Sequence, residues 1–115
     1  MDIDLLAPAD EISRLGAALA ALGFVRRDQA PLRLAGGEVC MHRFTKIVPG
    51  DPDVLIVDVI ESGFGIPARA WEGRIGLEWD GRTVTVVSRD GLIALKRLRG
   101  SAQDLVDIGR LEGGA

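Results

Sequence analysis

Residues 54–60 read Val-Leu-Ile-Val-Asp-Val-Ile, the most apolar run in the chain, and this run constrains the fold more than any other feature. A short, continuous, β-branched run of this kind fits a strand covered on both faces, which places it centrally in a sheet. Asp58 sits alone inside it and is therefore conspicuous. A chain of 115 residues has the size of one ordinary domain, so the expectation is a single domain over residues 1–115 whose every element contributes to one core. The hydrophobic set is 47% and charged residues are 27%, close to the globular average, which argues against disorder. The formal charge of −3 argues against a protein held on nucleic acid mainly by bulk positive charge. No apolar run approaches the roughly 18 residues of a spanning helix, and no signal peptide precedes the first acidic residues. Cys40 is the one cysteine, so an internal disulfide and a four-thiolate zinc site are excluded. A cytoplasmic domain without membrane contact is the default.

The pattern around the apolar run is mixed. Residues 1–6 alternate Asp2 and Asp4 with Ile3 and Leu5, a strand pattern with both carboxylates on one face. Pro8 and Ala9 open a helix running to about residue 22, with Ile12, Leu15, Leu19 and Leu22 as its apolar stripe and Gly23 as its stop. Residues 32–35, the pair Gly36-Gly37 and residues 39–47 predict a hairpin, and residues 49–52 a loop. Residues 62–67 read as a glycine-rich loop. Residues 74–79, Asp80-Gly81 and residues 82–87 predict a second hairpin around a strong turn dipeptide. Ser88 or Asp90 caps a helix from about residue 91 to 99, and Gly100 breaks it. A last helix runs from Ser101 to about residue 111, with Leu105, Ile108 and Leu111 as its stripe. Ser101 and Asp104 have capping-box spacing.

Asp2, Asp4 and Asp58 are the residues most able to carry chemistry. Two aspartates two positions apart on a strand point the same way, with Cα atoms roughly 6 to 7 Å apart. A third from a neighbouring strand completes a cluster whose mutual repulsion is costly unless a cation sits in it. Hard oxygen ligands suit Mg²⁺ or Mn²⁺, the ions of phosphoryl and nucleotidyl transfer. The bland alternative is a solvated terminal strand and a satisfied Asp58, and on spacing alone it is the commoner outcome. Cys40 and His42 share a strand face, but two ligands do not make a zinc site. Trp71 and Trp79 fit core or dimer packing better than base stacking.

Residues 86–108 read Val-Val-Ser-Arg-Asp-Gly-Leu-Ile-Ala-Leu-Lys-Arg-Leu-Arg-Gly-Ser-Ala-Gln-Asp-Leu-Val-Asp-Ile. This stretch resembles the end of the AbiEii-type, minimal nucleotidyltransferase-like family: a strand, a Ser, a helix with Leu-Ile-x-Leu-Lys, an Arg/Gly turn, then Gln/Lys-Asp-Leu-x-Asp-Ile. The early Asp-Ile-Asp-Leu-Leu of residues 2–6 and the later Ile-Val-Asp-Val of residues 56–59 match the family in order. The resemblance implies an α/β (α+β) nucleotidyltransferase-like fold, a mixed sheet flanked by helices. It implies transfer of a nucleoside monophosphate from a nucleoside triphosphate to an acceptor hydroxyl, on RNA or protein, as in a toxin–antitoxin system. By that carry-over Asp2, Asp4 and Asp58 bind Mg²⁺ or Mn²⁺, and Asp58 helps deprotonate the acceptor. Lys96 then lies near the phosphates, with Asp104 and Asp107 in support.

The family also places a helix and a Gly-Gly/Ser turn ahead of the Asp-x-Asp strand, and that turn grips the triphosphate with backbone N–H groups. This sequence starts at the strand. The expectation is an N-terminally shortened relative that transfers nucleotides poorly, with a loss of at least a hundred- to thousand-fold by comparison with about 2.7 to 4 kcal/mol for one preorganised donor. The alternative function is a catalytically lapsed module that keeps the fold for binding or dimerisation. A homodimer is expected, because the missing segments leave sheet edge and apolar surface uncovered.

Overall fold

The computed structural model describes residues 2–26 and 30–113, with the Asp2 side chain outside that description. Met1, the start of the expected first strand, also lies outside it. The architecture is mixed α+β, as the alternating pattern implied. The chain falls into two compact units, Met1–Gly63 and Phe64–Ala115.

The first unit is built on a five-stranded sheet. Strand β1 (Asp2–Ala7) leads through a 3-10 turn (Ala9–Glu11) into helix α1 (Ile12–Ala21). Strands β2 (Val25–Arg26), β3 (Leu32–Leu34), β4 (Val39–Ile47) and β5 (Val54–Glu61) follow. The strand order is β1-β5-β4-β2, with β3 also paired to β4. β5 is internal, as its apolar run requires, and joins β1 in parallel and β4 in antiparallel register. Strand β2 has no counterpart in the sequence reading, because two exposed residues carry no periodicity. The β3–β4 hairpin is present, but its connection is longer than the Gly36-Gly37 pair alone. Leu34 pairs with Val39 across a turn in which Ala35, Gly36 and Gly37 all have positive φ.

Alternation along the strands sorts the side chains. Val57 and Val59 of β5, Phe44 of β4 and Ala7 of β1 are buried on one face together with Ile12 and Leu19 of α1. Leu5, Leu15 and Phe24 pack against this core. The 3–4 spacing of Ile12, Leu15 and Leu19 on α1 faces the sheet, and each fully buried side chain of this size contributes about 1.5–3 kcal/mol. Leu22, expected to complete the stripe, is exposed because it lies at the C-cap, beyond the last full turn. There Lys46 of β4 donates to the Leu22 carbonyl at 2.7 Å and closes the helix end. Gly23 takes φ 92°, and a Cβ there would lie 3.2 Å from Lys46 Cε. Glycine at this position allows both the turn and the lysine.

The second unit opens with helix α2 (Gly65–Glu72), where the sequence reading expected loop through residue 67. Pro67 is the third helical residue, where its missing N–H costs no hydrogen bond, so the Gly/Pro-rich text starts a helix rather than preventing one. The expected second hairpin is present as β6 (Ile75–Trp79) and β7 (Arg82–Val86), a separate two-stranded sheet. Trp79 pairs with Arg82 across Asp80 and Gly81, both at positive φ, the geometry that favours Asp-Gly in a two-residue turn. Helix α3 (Arg89–Arg99) is capped by Ser88, whose Oγ accepts from Gly91 N at 3.1 Å. Helix α4 (Ala102–Gly113) begins with the expected capping box: Ser101 N donates to Asp104 Oδ2, and Asp104 N donates to Ser101 Oγ, both at 3.1 Å. Of the expected α4 stripe Ile108 is buried and Leu105 is exposed.

Asp104 is the buried anion of this unit, with its side chain 1% exposed. Arg99 grips both carboxylate oxygens, at 2.9 and 2.7 Å, and Ser101 adds hydroxyl and backbone donors. The Arg99 hydrogen bonds lead in holding the Asp104 carboxyl well below the ordinary carboxylate range. A depressed folded-state pKa adds stability that is present above the unfolded value and lost as pH falls through the folded one. We therefore expect Asp104→Asn to destabilise the protein by about 2 kcal/mol at neutral pH, as loss of a charge-assisted hydrogen-bond set does. The variant should also lose less stability than the parent on acidification below about pH 4. Urea unfolding across pH checks both, and equal acid sensitivity of the two proteins would contradict the assignment.

Candidate functional site

The sheet face opposite the α1 core carries a row of charge. Asp4 of β1 stands opposite Asp58 of β5, and Asp58 stands opposite Arg43 of β4. Three adjacent strands thus place two carboxylates and a guanidinium side by side, with neighbouring backbones about 4.8 Å apart. Asp2 pairs with Ile56 in the same register, two residues before Asp4. The structure therefore brings Asp4 and Asp58 together.

Asp58 is buried, with its side chain 7% exposed, and it lies inside an otherwise apolar strand. Arg43 explains how that is tolerated: its Nε donates to Oδ1 at 2.8 Å and its terminal nitrogen to Oδ2 at 3.0 Å. Such a two-pronged contact satisfies both oxygens and fixes the carboxylate plane. A carboxylate offers about four lone-pair positions, and the fork uses one on each oxygen. Carboxylate oxygens such as those of Asp58 and Asp4 are hard donors of the kind Mg²⁺ or Mn²⁺ takes. Asp4 and Asp58 are of the donor type that suits the ion the sequence reading expected at Asp2, Asp4 and Asp58, of which the Asp2 side chain lies outside the described residues. Arg43 itself is absent from that reading. An Arg directly before Phe-Thr-Lys in a strand carries no signal until the register puts it beside Asp58.

Lys96 lies in the second unit, on α3. Its ammonium donates to Asp107 Oδ2 at 3.0 Å and lies 3.8 Å from Asp104 Oδ1. The hydrogen bond from Lys96, helped by Gln103, lowers the Asp107 pKa. Helices α3 and α4 are thus joined by ion pairs through Lys96, Asp104, Asp107 and Arg99.

A second polar cluster lies on the α1 side of the sheet. Cys40 and His42 are alternate residues of β4, both buried, and Glu61 ends β5. The register Met41↔Ile60 and His42↔Val59, continued by one step, sets Glu61 beside Cys40. Cys40 Sγ donates to Glu61 Oε2 at 2.7 Å, and His42 Nε2 contacts the same oxygen at 2.8 Å. Arg26 of β2 donates to His42 Nδ1. Burial first, and then the Glu61 carboxylate, push the Cys40 thiol up to about 11. The Cys40 and His42 hydrogen bonds lower the Glu61 pKa. Sequence reasoning found the Cys40–His42 pair and missed Glu61, because only the pairing of β4 with β5 supplies it.

Trp71 stacks against Arg74, whose guanidinium carbon lies 4.1 Å from the ring centroid, while Trp79 is 70% exposed. No helix among the described residues is long and apolar enough to cross a membrane. Comparisons with family models, curated proteins and solved structures find no match to this chain.

The row on the acidic face makes a direct demand on Arg43. Arg43→Ala leaves a buried carboxylate without its fork. We expect it to destabilise the protein by about 2–3 kcal/mol, below the range for a fully buried pair because Arg43 keeps a solvent-exposed side. Millimolar Mn²⁺ should recover more stability in the variant than in the parent, since a cation then takes the place of the guanidinium. Urea unfolding with and without Mn²⁺ measures this, and a variant as stable as the parent would refute the role of the fork.

Proposed function

We propose that the chain is a nucleotidyltransferase-like domain that moves a nucleoside monophosphate from a nucleoside triphosphate to an acceptor hydroxyl. The observation that carries this reading is the placement of Asp4 opposite Asp58 on parallel neighbouring strands. The order of the matching motifs along the chain, from Asp-Ile-Asp-Leu-Leu to the Lys-containing helix and its Asp-Leu-x-Asp-Ile partner, supports it as well.

Asp2, Asp4 and Asp58 would hold Mg²⁺ or Mn²⁺, which supplies charge neutralisation at the triphosphate and the leaving pyrophosphate. Asp58, held in one orientation by Arg43, accepts the proton of the acceptor hydroxyl. The hydroxyl oxygen bonds to the α-phosphorus, the bond from that phosphorus to the bridging oxygen breaks, and pyrophosphate carries away the electron pair. By the family resemblance Lys96 would be the cation that meets the phosphate oxygens. An ammonium has three donors, and Asp107 holds it by one.

A second reading has its own observation. The Arg43 fork already places a positive charge on both oxygens of Asp58, as a lapsed site that has replaced its ion would. In that case the domain keeps the fold for binding or for pairing with a second copy.

Transfer of label from α-labelled nucleoside triphosphates, with Mg²⁺ or Mn²⁺, tests the proposal. The chain is compared with a version carrying a glycine-turn segment joined ahead of β1. Transfer by the extended form that falls at least a hundredfold in Asp4→Asn and Asp58→Asn is the expected result. Mn²⁺ binding that depends on Asp4 and Asp58, with no transfer by either form, would favour the lapsed module. Transfer that survives both substitutions would overturn the site.

A further inference from the structure

We propose that Cys40, His42 and Glu61 form a zinc-binding site on the sheet face opposite the aspartates. One ligand atom from each residue lies within 4.8 Å of those from the other two. Two of these separations are already shorter than a metal needs: 2.7 Å from Cys40 Sγ to Glu61 Oε2, and 2.8 Å from His42 Nε2 to the same oxygen. Around a tetrahedral zinc, with bonds of about 2.0–2.3 Å, neighbouring ligand atoms stand about 3.4–3.6 Å apart. The two separations at Glu61 have to open by less than an ångström, which rotation of the Glu61 side chain at the strand end provides, and the Cys40–His42 separation, within 4.8 Å, closes toward the same range.

The donor set selects the metal class. A thiolate, an imidazole nitrogen and a carboxylate are the mixed, borderline-soft ligands of Zn²⁺, whereas the all-oxygen row on the other face suits Mg²⁺ or Mn²⁺. Three protein ligands leave a fourth position for water or a substrate atom. Two of the ligands, Cys40 and His42, are buried on β4 and fixed by its pairing with β3 and β5. A dication beside a thiolate and a carboxylate leaves the site close to neutral, which suits its burial.

Arg26 makes this site a switchable one. A guanidinium has only donors, so the contact between Arg26 and His42 Nδ1 requires a bare lone pair on Nδ1 and places the ring proton on Nε2, facing Glu61. Zinc at Nε2 needs the opposite tautomer. Binding therefore shifts the imidazole proton from Nε2 to Nδ1, turns Arg26 away, and releases the Cys40 thiol proton to solvent as the sulfur–zinc bond forms. Arg26 competes with the metal for the orientation of His42.

The test uses the full chain stripped of metal. Zinc titration is expected to saturate at one ion per chain. Cobalt(II) in its place should give the charge-transfer absorption of a cobalt–thiolate bond with the intense visible bands of tetrahedral coordination. Cys40→Ser should abolish the thiolate band, and Glu61→Gln should weaken zinc at least about tenfold while circular dichroism shows the fold retained. Arg26→Met should tighten zinc about tenfold, the value of one charge-assisted hydrogen bond no longer broken on binding. The absence of a thiolate band in the parent protein would overturn the site, as would an unchanged band in Cys40→Ser. Weaker zinc binding by a folded Arg26→Met variant would overturn the competition.

Discussion

Strand β5 is hydrogen-bonded on both sides, to β1 in parallel and to β4 in antiparallel register, and its two-residue period decides what each face of the sheet can be. Val57 and Val59 go to the α1 side and make the core, with Val59 fully buried. Asp58, between them, goes to the other side. A slip of one residue would exchange the two sets, burying a carboxylate under α1 and exposing valines, so the register is tightly specified. The Arg43 fork then satisfies the carboxylate that this register buries.

Both polar sites follow from that alternation. On the far face, parallel pairing with β1 sets Asp4 next to Asp58 and gives a row of hard oxygen donors. On the core face, antiparallel pairing with β4 sets Glu61 by Cys40 and His42, where the apolar cluster ends. The two clusters share strands and have no side chain in common. Their chemistries differ for the same reason that their positions do: successive residues of one strand point opposite ways.

How much of this could be read from sequence varied with how local the signal was. The central position of β5 was legible because a continuous apolar run leaves few alternatives. The Ser88 cap, the Ser101–Asp104 box and the Asp80-Gly81 turn were legible because each is complete within four residues. Helix α2 was not, since Gly65 and Pro67 serve loops and first turns equally and only packing of Ala70 and Pro67 decides between them. Strand β2 owes its existence to β4 rather than to its own two residues. Asp2, Asp4 and Asp58 could be singled out by phase, but Arg43 and Glu61 could not. Both become site residues only through cross-strand register, and register is a property of pairs of segments.

The two proposals together put a hard-oxygen site and a mixed thiolate–imidazole–carboxylate site on opposite faces of one sheet. Anomalous scattering from crystals soaked with manganese and zinc together, recorded at the absorption edges of both metals, tests it most directly. The account predicts manganese between Asp4 and Asp58 with metal–oxygen distances of about 2.1 Å, and zinc among Cys40, His42 and Glu61 with Arg26 turned away. Both metals at one position, or neither metal at either face with the Arg43–Asp58 and Arg26–His42 contacts intact, would contradict it.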